Sequence, residues 1–146
     1  MKARIGKTID KLNVGDKAYF AKTLTESDMM LFAGITGDQN QLPVNEEFAK
    51  RTPYKHRIAH GMLTAGFIST ILGMQLPGFG TSIKRMKVRF TAPVFLGDTI
   101  EICVELTQID RAKNEVAFKA MTINQNGKTV LEGSGVVNPP VVLDAE

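Results

Sequence analysis

HGMLTAGFISTILGM, residues 60–74, carries no Lys, Arg, Asp or Glu and is apolar nearly all round the helical wheel. A helix of that kind is buried on most of its sides. Gly61, Ala65, Ser69 and Gly73 recur every four residues and form a ridge of small side chains. Such a ridge would let a sheet, a partner subunit or a ligand approach the backbone closely, with tight packing against a sheet the favoured reading for most of its length. Downstream of Pro77-Gly78 the period changes from helical to two. Met86, Val88 and Phe90 alternate with Arg85, Lys87 and Arg89, and Ile100, Ile102, Val104 and Leu106 alternate with Thr99, Glu101, Cys103 and Glu105. Two half-buried strands are expected, the basic outer face of the first lying beside the acidic outer face of the second. Two more are expected over about 114–124 and 128–137, joined by a two-residue Asn126-Gly127 hairpin. Gly133 and Gly135 in the last strand mark a bend or a close backbone approach.

Upstream of the long helix, a strand is expected from Lys17 to Leu24. Thr25-Glu-Ser-Asp28 then matches a capping box and opens a helix that stops at Gly37. GDQNQLP, residues 37–43, reads as irregular. Asn45 caps a short helix with Glu46 and Glu47 in its first turn, where the helix dipole favours acids, and Pro53 ends it. The order is a strand, helices including one long buried helix, then four antiparallel strands. That predicts an α+β chain in which a curved antiparallel sheet wraps around one central helix.

The 146 residues form one domain by length, 1–146, with no internal repeat or linker. Hydrophobic residues make up 43% and charged residues 23%, ordinary usage for a globular chain that needs no disulfide or metal to hold its core. The net charge of +3 falls short of the dense basic patch of a nucleic-acid binder. The single cysteine, Cys103, excludes an intrachain disulfide and a CxxC zinc site. MKARIGKTID at the start has no apolar run, and Met62–Met74 is too short to span a bilayer. The expectation is a cytoplasmic protein with no nucleic-acid or membrane partner.

Two segments combine turn residues with polar groups beside the long helix: GDQNQLPVN, residues 37–45, and RIAHGM, residues 57–62. Gly61 sits at a helix start, where free N–H groups and partial positive charge suit an anion or a developing oxyanion. Asp38 near it completes a minimum set for acid/base work on a carbonyl compound, a base and an oxyanion holder. His56, beside Lys55 and Arg57, reads as solvated, and Cys103 as non-catalytic.

FAGITGDQNQLPVN, RIAHGM, QLPG and RFTAPVFLGDT together resemble the MaoC-like dehydratases, the family of the (R)-specific enoyl-CoA hydratases, over about residues 25–137. Gly37, Asp38, Asn40, Leu42 and Asn45 agree with that family's signature. Gln41 stands where the family has Pro, and Pro43 where it has its second catalytic residue, His. The resemblance implies a hot-dog fold, a homodimer or dimer-based oligomer, and an acyl-CoA or acyl carrier protein thioester as partner. No cofactor or metal is implied beyond the thioester substrate. By the same resemblance Asp38 activates water and returns a proton to carbon, and the Gly61 N–H holds the thioester oxygen. Asn40 fixes the loop and Ser69 lies near the acyl pocket, while His60, read from its own place near the helix start, is structural rather than catalytic. Pro43 supplies no titratable group, and an acid/base partner contributes about 10²- to 10⁴-fold. The expected activity is therefore an impaired or altered hydratase, with a single-carboxylate acyl-CoA thioesterase and a non-catalytic acyl-thioester binder as alternatives. Lys50, Arg51, Lys55 and Arg57 are read either as a plain surface cluster or as partners for coenzyme A phosphates.

Overall fold

β1 (Lys17–Thr23) runs into α1 (Glu26–Thr36), α2 (Gln41–Val44) and α3 (Glu46–Ala49), then α4 (Gly61–Met74), and β2 (Ser82–Phe90), β3 (Thr99–Asp110), β4 (Glu115–Ile123) and β5 (Thr129–Asn138) follow. The structure, a computed structural model, describes residues 3–143. The strands form one antiparallel sheet in the order β1-β3-β4-β5-β2. Register shifts at Ile83/Arg85 and Leu106/Gln108 mark where extra residues enter the ladder and curve the sheet. The architecture is the expected hot-dog arrangement.

The core forms where the inward residues of β3, Ile100, Ile102, Val104 and Leu106, meet Ile68, Ile71 and Leu72 of α4. Each such side chain, fully withdrawn from water, contributes about 1.5–3 kcal/mol. That stripe differs from the small-residue ridge. Ala65 is buried in the core and Gly61 lies against the Phe90 ring of β2, but Ser69 is exposed and no described atom outside the helix backbone lies within 4 Å of where a Cβ on Gly73 would stand. The ridge therefore meets the sheet only over its first half, Gly61 and Ala65. Met62, Gly66, Ser69 and Met74 leave one side of α4 open, so within this chain the helix is buried on one face rather than on most sides.

The expected pairing of β2 with β3 does not occur. β3 has both edges occupied, by β1 (Lys17 opposite Glu105) and by β4 (Lys119 opposite Glu105), so β2 pairs with β5 at the sheet's edge. Glu105 is neutralised from those flanking strands instead. Lys119 at 3.0 Å and Lys17 at 3.3 Å bond its carboxylate and hold its pKa below the ordinary value. Arg89 of β2 reaches Glu132 of β5 at 3.6 Å. Gly135 confirms the close approach read from the sequence, since a Cβ there would lie 2.2 Å from the Arg85 carbonyl oxygen.

The β4–β5 connection is longer than two residues. Asn124 N–H bonds the Lys128 carbonyl, the Asn124 side chain accepts from Asn126 and Lys128, and Gly127 takes φ +77°. This closes a longer turn with a left-handed glycine. α3 ends at Ala49, four residues before Pro53.

Candidate active site

The site begins with how α1 ends. Gly37 adopts the left-handed conformation (φ +76°) and turns the chain out of the helix, and Thr36 Oγ1 accepts from the Asp38 N–H at 3.1 Å. One carboxylate oxygen of Asp38 accepts from the Asn40 N–H at 3.1 Å, and Asn40 Oδ1 accepts from the Leu42 N–H at 3.0 Å. These two successive side-chain caps open α2, so part of the segment read as irregular is a helical turn. Pro43 is its third residue, within the first turn, where a helix has no intrahelical acceptor for an N–H. Proline costs the backbone nothing there. Its carbonyl accepts from Arg57 Nε at 2.9 Å, and the Arg57 guanidinium also pairs with Glu26 of α1.

The second wall is the segment leading into α4. Ala59 donates to the Val94 carbonyl at 2.7 Å, and Ile58 bridges Phe95, which pins the approach to the β2–β3 connection. His60 is the N-cap residue, but its side chain makes no cap hydrogen bond, and the first turn of α4 carries no acid. The Leu63 and Thr64 N–H groups point back to the His60 carbonyl. The Gly61 and Met62 N–H groups have no protein acceptor among the described residues. Two donors at the positive end of a 14-residue helix are thus left open.

These walls enclose one cleft of about 250 Å³. Asp38, Asn40, Pro43, His60 and Gly61, five of the residues singled out from the sequence, all line it. Ser69 does not, lying two turns further along α4 with its side chain exposed. His60 is 5% exposed, its ring lies 4.7 Å from that of Phe32, and its Nε2 meets the Asp38 carbonyl oxygen at 3.3 Å. A carbonyl only accepts, so Nε2 carries the proton and braces the loop. Nδ1 is buried, with no partner among the described residues. The ring therefore presents no open nitrogen to the cleft, in keeping with a structural histidine.

The remaining candidates separate. His56 pairs at 3.5 Å with Glu46 on the surface, Lys50 pairs at 2.9 Å with Glu47, and Arg57 turns inward to Pro43 and Glu26. Arg51 and Lys55 stay exposed without an ion-pair partner among the described residues. No cluster of three His, Cys, Asp or Glu able to hold a metal occurs among the described residues. Sequence reasoning missed Phe90, read as an ordinary strand residue, and Arg57 as a brace. Phe90 closes the cleft over Gly61, and a Cβ on Gly61 would lie 3.0 Å from its ring. Only its place at the very end of an alternating strand hinted at this.

Chemically, the cleft holds one carboxylate and two open amide donors, enough to move a proton and steady a negative oxygen on the same molecule. A family model described as "MaoC like domain" matches residues 11–128. The chain is 44% identical over 131 residues to the (R)-specific enoyl-CoA hydratase of Rhodospirillum rubrum, covering 90% of each chain. It is 38% identical over 137 residues to the 3-hydroxybutyryl-CoA dehydratase of Methylorubrum extorquens, covering 94% of this chain and 87% of that one. Among solved structures, the unliganded R-hydratase PhaJ1 of Pseudomonas aeruginosa superposes with a TM-score of 0.88 at 36% identity, over 97% of this chain and 93% of that one.

Proposed function

The chain belongs to the MaoC-like domain family, and on that premise we propose that it hydrates 2-enoyl-CoA thioesters to (R)-3-hydroxyacyl-CoA and runs the reverse dehydration. The observation that carries the reading is the pairing, on one cleft, of the Asp38 carboxylate with the uncapped start of α4. Water attacks the β carbon while Asp38 takes one of its protons. The electron pair of the double bond moves through the α carbon onto the thioester oxygen, where the Gly61 and Met62 N–H groups receive the developing charge. The α carbon then takes the proton from Asp38, and the carboxylate is restored. Asn40 keeps Asp38 in place through its backbone N–H. No resident cofactor enters these steps.

Pro43 lowers this activity rather than abolishing it, since a single carboxylate can serve as base and then acid. The same residue favours a second reading. With no second proton-transfer group, the carboxylate could instead direct water onto the thioester carbonyl and release coenzyme A. Crotonyl-CoA separates the readings, with enoyl absorbance and free thiol followed together. Loss of enoyl absorbance without thiol release is the expected result. Released thiol would make the protein a thioesterase, and binding without turnover a silent thioester binder.

The open side of α4, with Met62, Gly66 and Ser69 exposed on an otherwise apolar helix, supports a homodimer in which a second copy covers that face. Sedimentation velocity should return about twice the 16.0 kDa chain mass. No described helix is long and apolar enough to cross a membrane. A reducing, cytoplasmic setting suits the free Cys103.

A further inference from the structure

A second cavity, of about 310 Å³, lies directly beside the catalytic cleft. The two share Ile58, Ala59, Gly61 and Phe90 as walls. Phe90, the last residue of β2 and 50% exposed, lays its ring against the Gly61 backbone at the common wall. Beyond the ring, the second cavity is walled by Thr64, Ala92, Pro93, Val94 and Val130, with Tyr54 at a solvent-facing rim.

We propose that Phe90 divides a two-armed substrate groove, with the enoyl arm on the Asp38 side and the pantetheine arm of the thioester in the second cavity. This rests on the hydratase reading, which puts the thioester oxygen at Gly61, on the wall common to both spaces. The α and β carbons must then lie toward Asp38. Sulfur is on the opposite side of the carbonyl carbon from them, so the chain beyond it leaves into the other space. Charge agrees with that direction. Tyr54 on the rim is followed by exposed Lys55, and exposed Arg51 lies three residues earlier. Neither makes an ion pair among the described residues, whereas Lys50 and Arg57 are engaged. Two uncommitted cations that flank Tyr54 along the chain suit the phosphates at the far end of a coenzyme A arm.

Ala92→Phe fills the second cavity from a half-buried wall position and tests the assignment. The expected result is a KM about tenfold higher or more, by the same factor for enoyl-CoA substrates of four, six and eight carbons. A KM that rises only for the longer acyl chains would put the acyl arm there and overturn the proposal, as would an unchanged KM. Phe90→Ala, at a half-exposed position that leaves the core intact, should lower kcat about tenfold across the same series by loosening the thioester at Gly61. An unchanged kcat would remove the divider role.

Calorimetric binding of butyryl-CoA, which cannot be hydrated, reads the cavity independently of turnover. If the wild-type protein hydrates no enoyl-CoA, the functional reading fails while this binding measurement still tests the cavity, where Ala92→Phe should weaken affinity about tenfold. Butyryl-pantetheine, which lacks the coenzyme A phosphates, should respond to Ala92→Phe but not to Arg51→Gln with Lys55→Asn, whereas butyryl-CoA should respond to both. Asparagine is chosen because Lys55 holds φ +66°, a conformation asparagine tolerates. An equal response of both ligands to the double variant would overturn the direction assigned to the arm.

Discussion

α1 and α4 begin in opposite ways. At α1 the Thr25 side chain accepts from the Asp28 N–H, the Asp28 side chain accepts from the Thr25 N–H, and acids fill the first turn. At α4 the cap side chain bonds nothing in the helix, the first turn has no acid, and two N–H groups are left open to the cleft. One helix start is closed by its own sequence and serves stability. The other is kept unfinished, and the missing acceptor is supplied by whatever enters the cleft. An uncapped start costs about 0.5–2 kcal/mol relative to a good cap, a modest loss against the rate a positioned oxyanion donor returns.

The comparison can be broken at the carboxylate first. Asp38→Asn should lower hydration by about 10²- to 10⁴-fold, with the thermal midpoint unchanged because the side chain is exposed. A variant that keeps wild-type turnover would show that Asp38 is only a turn residue.

The α4 start is tested next by removing one donor without disturbing the helix. Proline is welcome at a first helical position, and His60 already has the extended geometry that must precede it (φ −55°, ψ 131°). Gly61→Pro should cost about 10²- to 10³-fold in kcat. Gly61→Ala, which adds the same Cβ toward Phe90 but keeps the N–H, serves as the control. Equal losses in the two variants would assign the effect to crowding rather than to the lost donor.

Pro43→His adds a proton-transfer group to the same cleft. Turnover should rise about 10²-fold, the low end of what an acid/base partner contributes, as read by loss of enoyl absorbance. No gain in a folded variant would mean that the cleft has been remade for other chemistry.

The smallest effect belongs to α1. Thr25→Ala should reduce stability by about 1 kcal/mol, seen in chemical denaturation, and leave kcat untouched. Asp28 gives this cap a pH dependence. Burial raises its pKa, but the Thr25 backbone hydrogen bond, with Lys22 and the Thr25 side chain, outweighs it and holds the carboxyl below its ordinary 3.8. A group depressed in the folded state adds stability above its unfolded value and loses it as pH falls through the folded one. The stability gap between wild type and Asp28→Asn should therefore be full at neutral pH and close as pH drops through and below 3.8. A gap that persists in stronger acid would show that the cap does not depend on charge.

Elements whose signals are local were legible. The Thr25 capping box, the stop at Gly37, the Asn45 cap and the strands of alternating period each rest on neighbours a few residues apart, and each stands in the structure. The cleft was legible in part for the same reason, because Asp38, Asn40 and Pro43 sit in one turn and His60 and Gly61 in one helix start. Signals that depend on partners distant in the chain failed. β2 was set beside β3 because their charges match, yet β4 already holds that edge. The small-residue ridge of α4 was turned toward the sheet along its whole length, although past Ala65 it is Ile68, Ile71 and Leu72 that claim that direction. Ser69, which the resemblance puts near the acyl pocket, is not among the residues that line the cleft.

By itself the chain's order of residues determined which segments are helix or strand, where α1 closes, and that a carboxylate and an open helix start are the groups with chemistry to offer. Those follow from hydrogen bonds and periodicities that span at most a few residues. Only the folded chain decided that the two groups share a cleft, that Phe90 stands between that cleft and a second cavity, and that Arg57 serves the loop rather than an anion. Each of these depends on side chains brought together across the sheet and helix layers, where packing and burial, rather than local propensity, choose the neighbour.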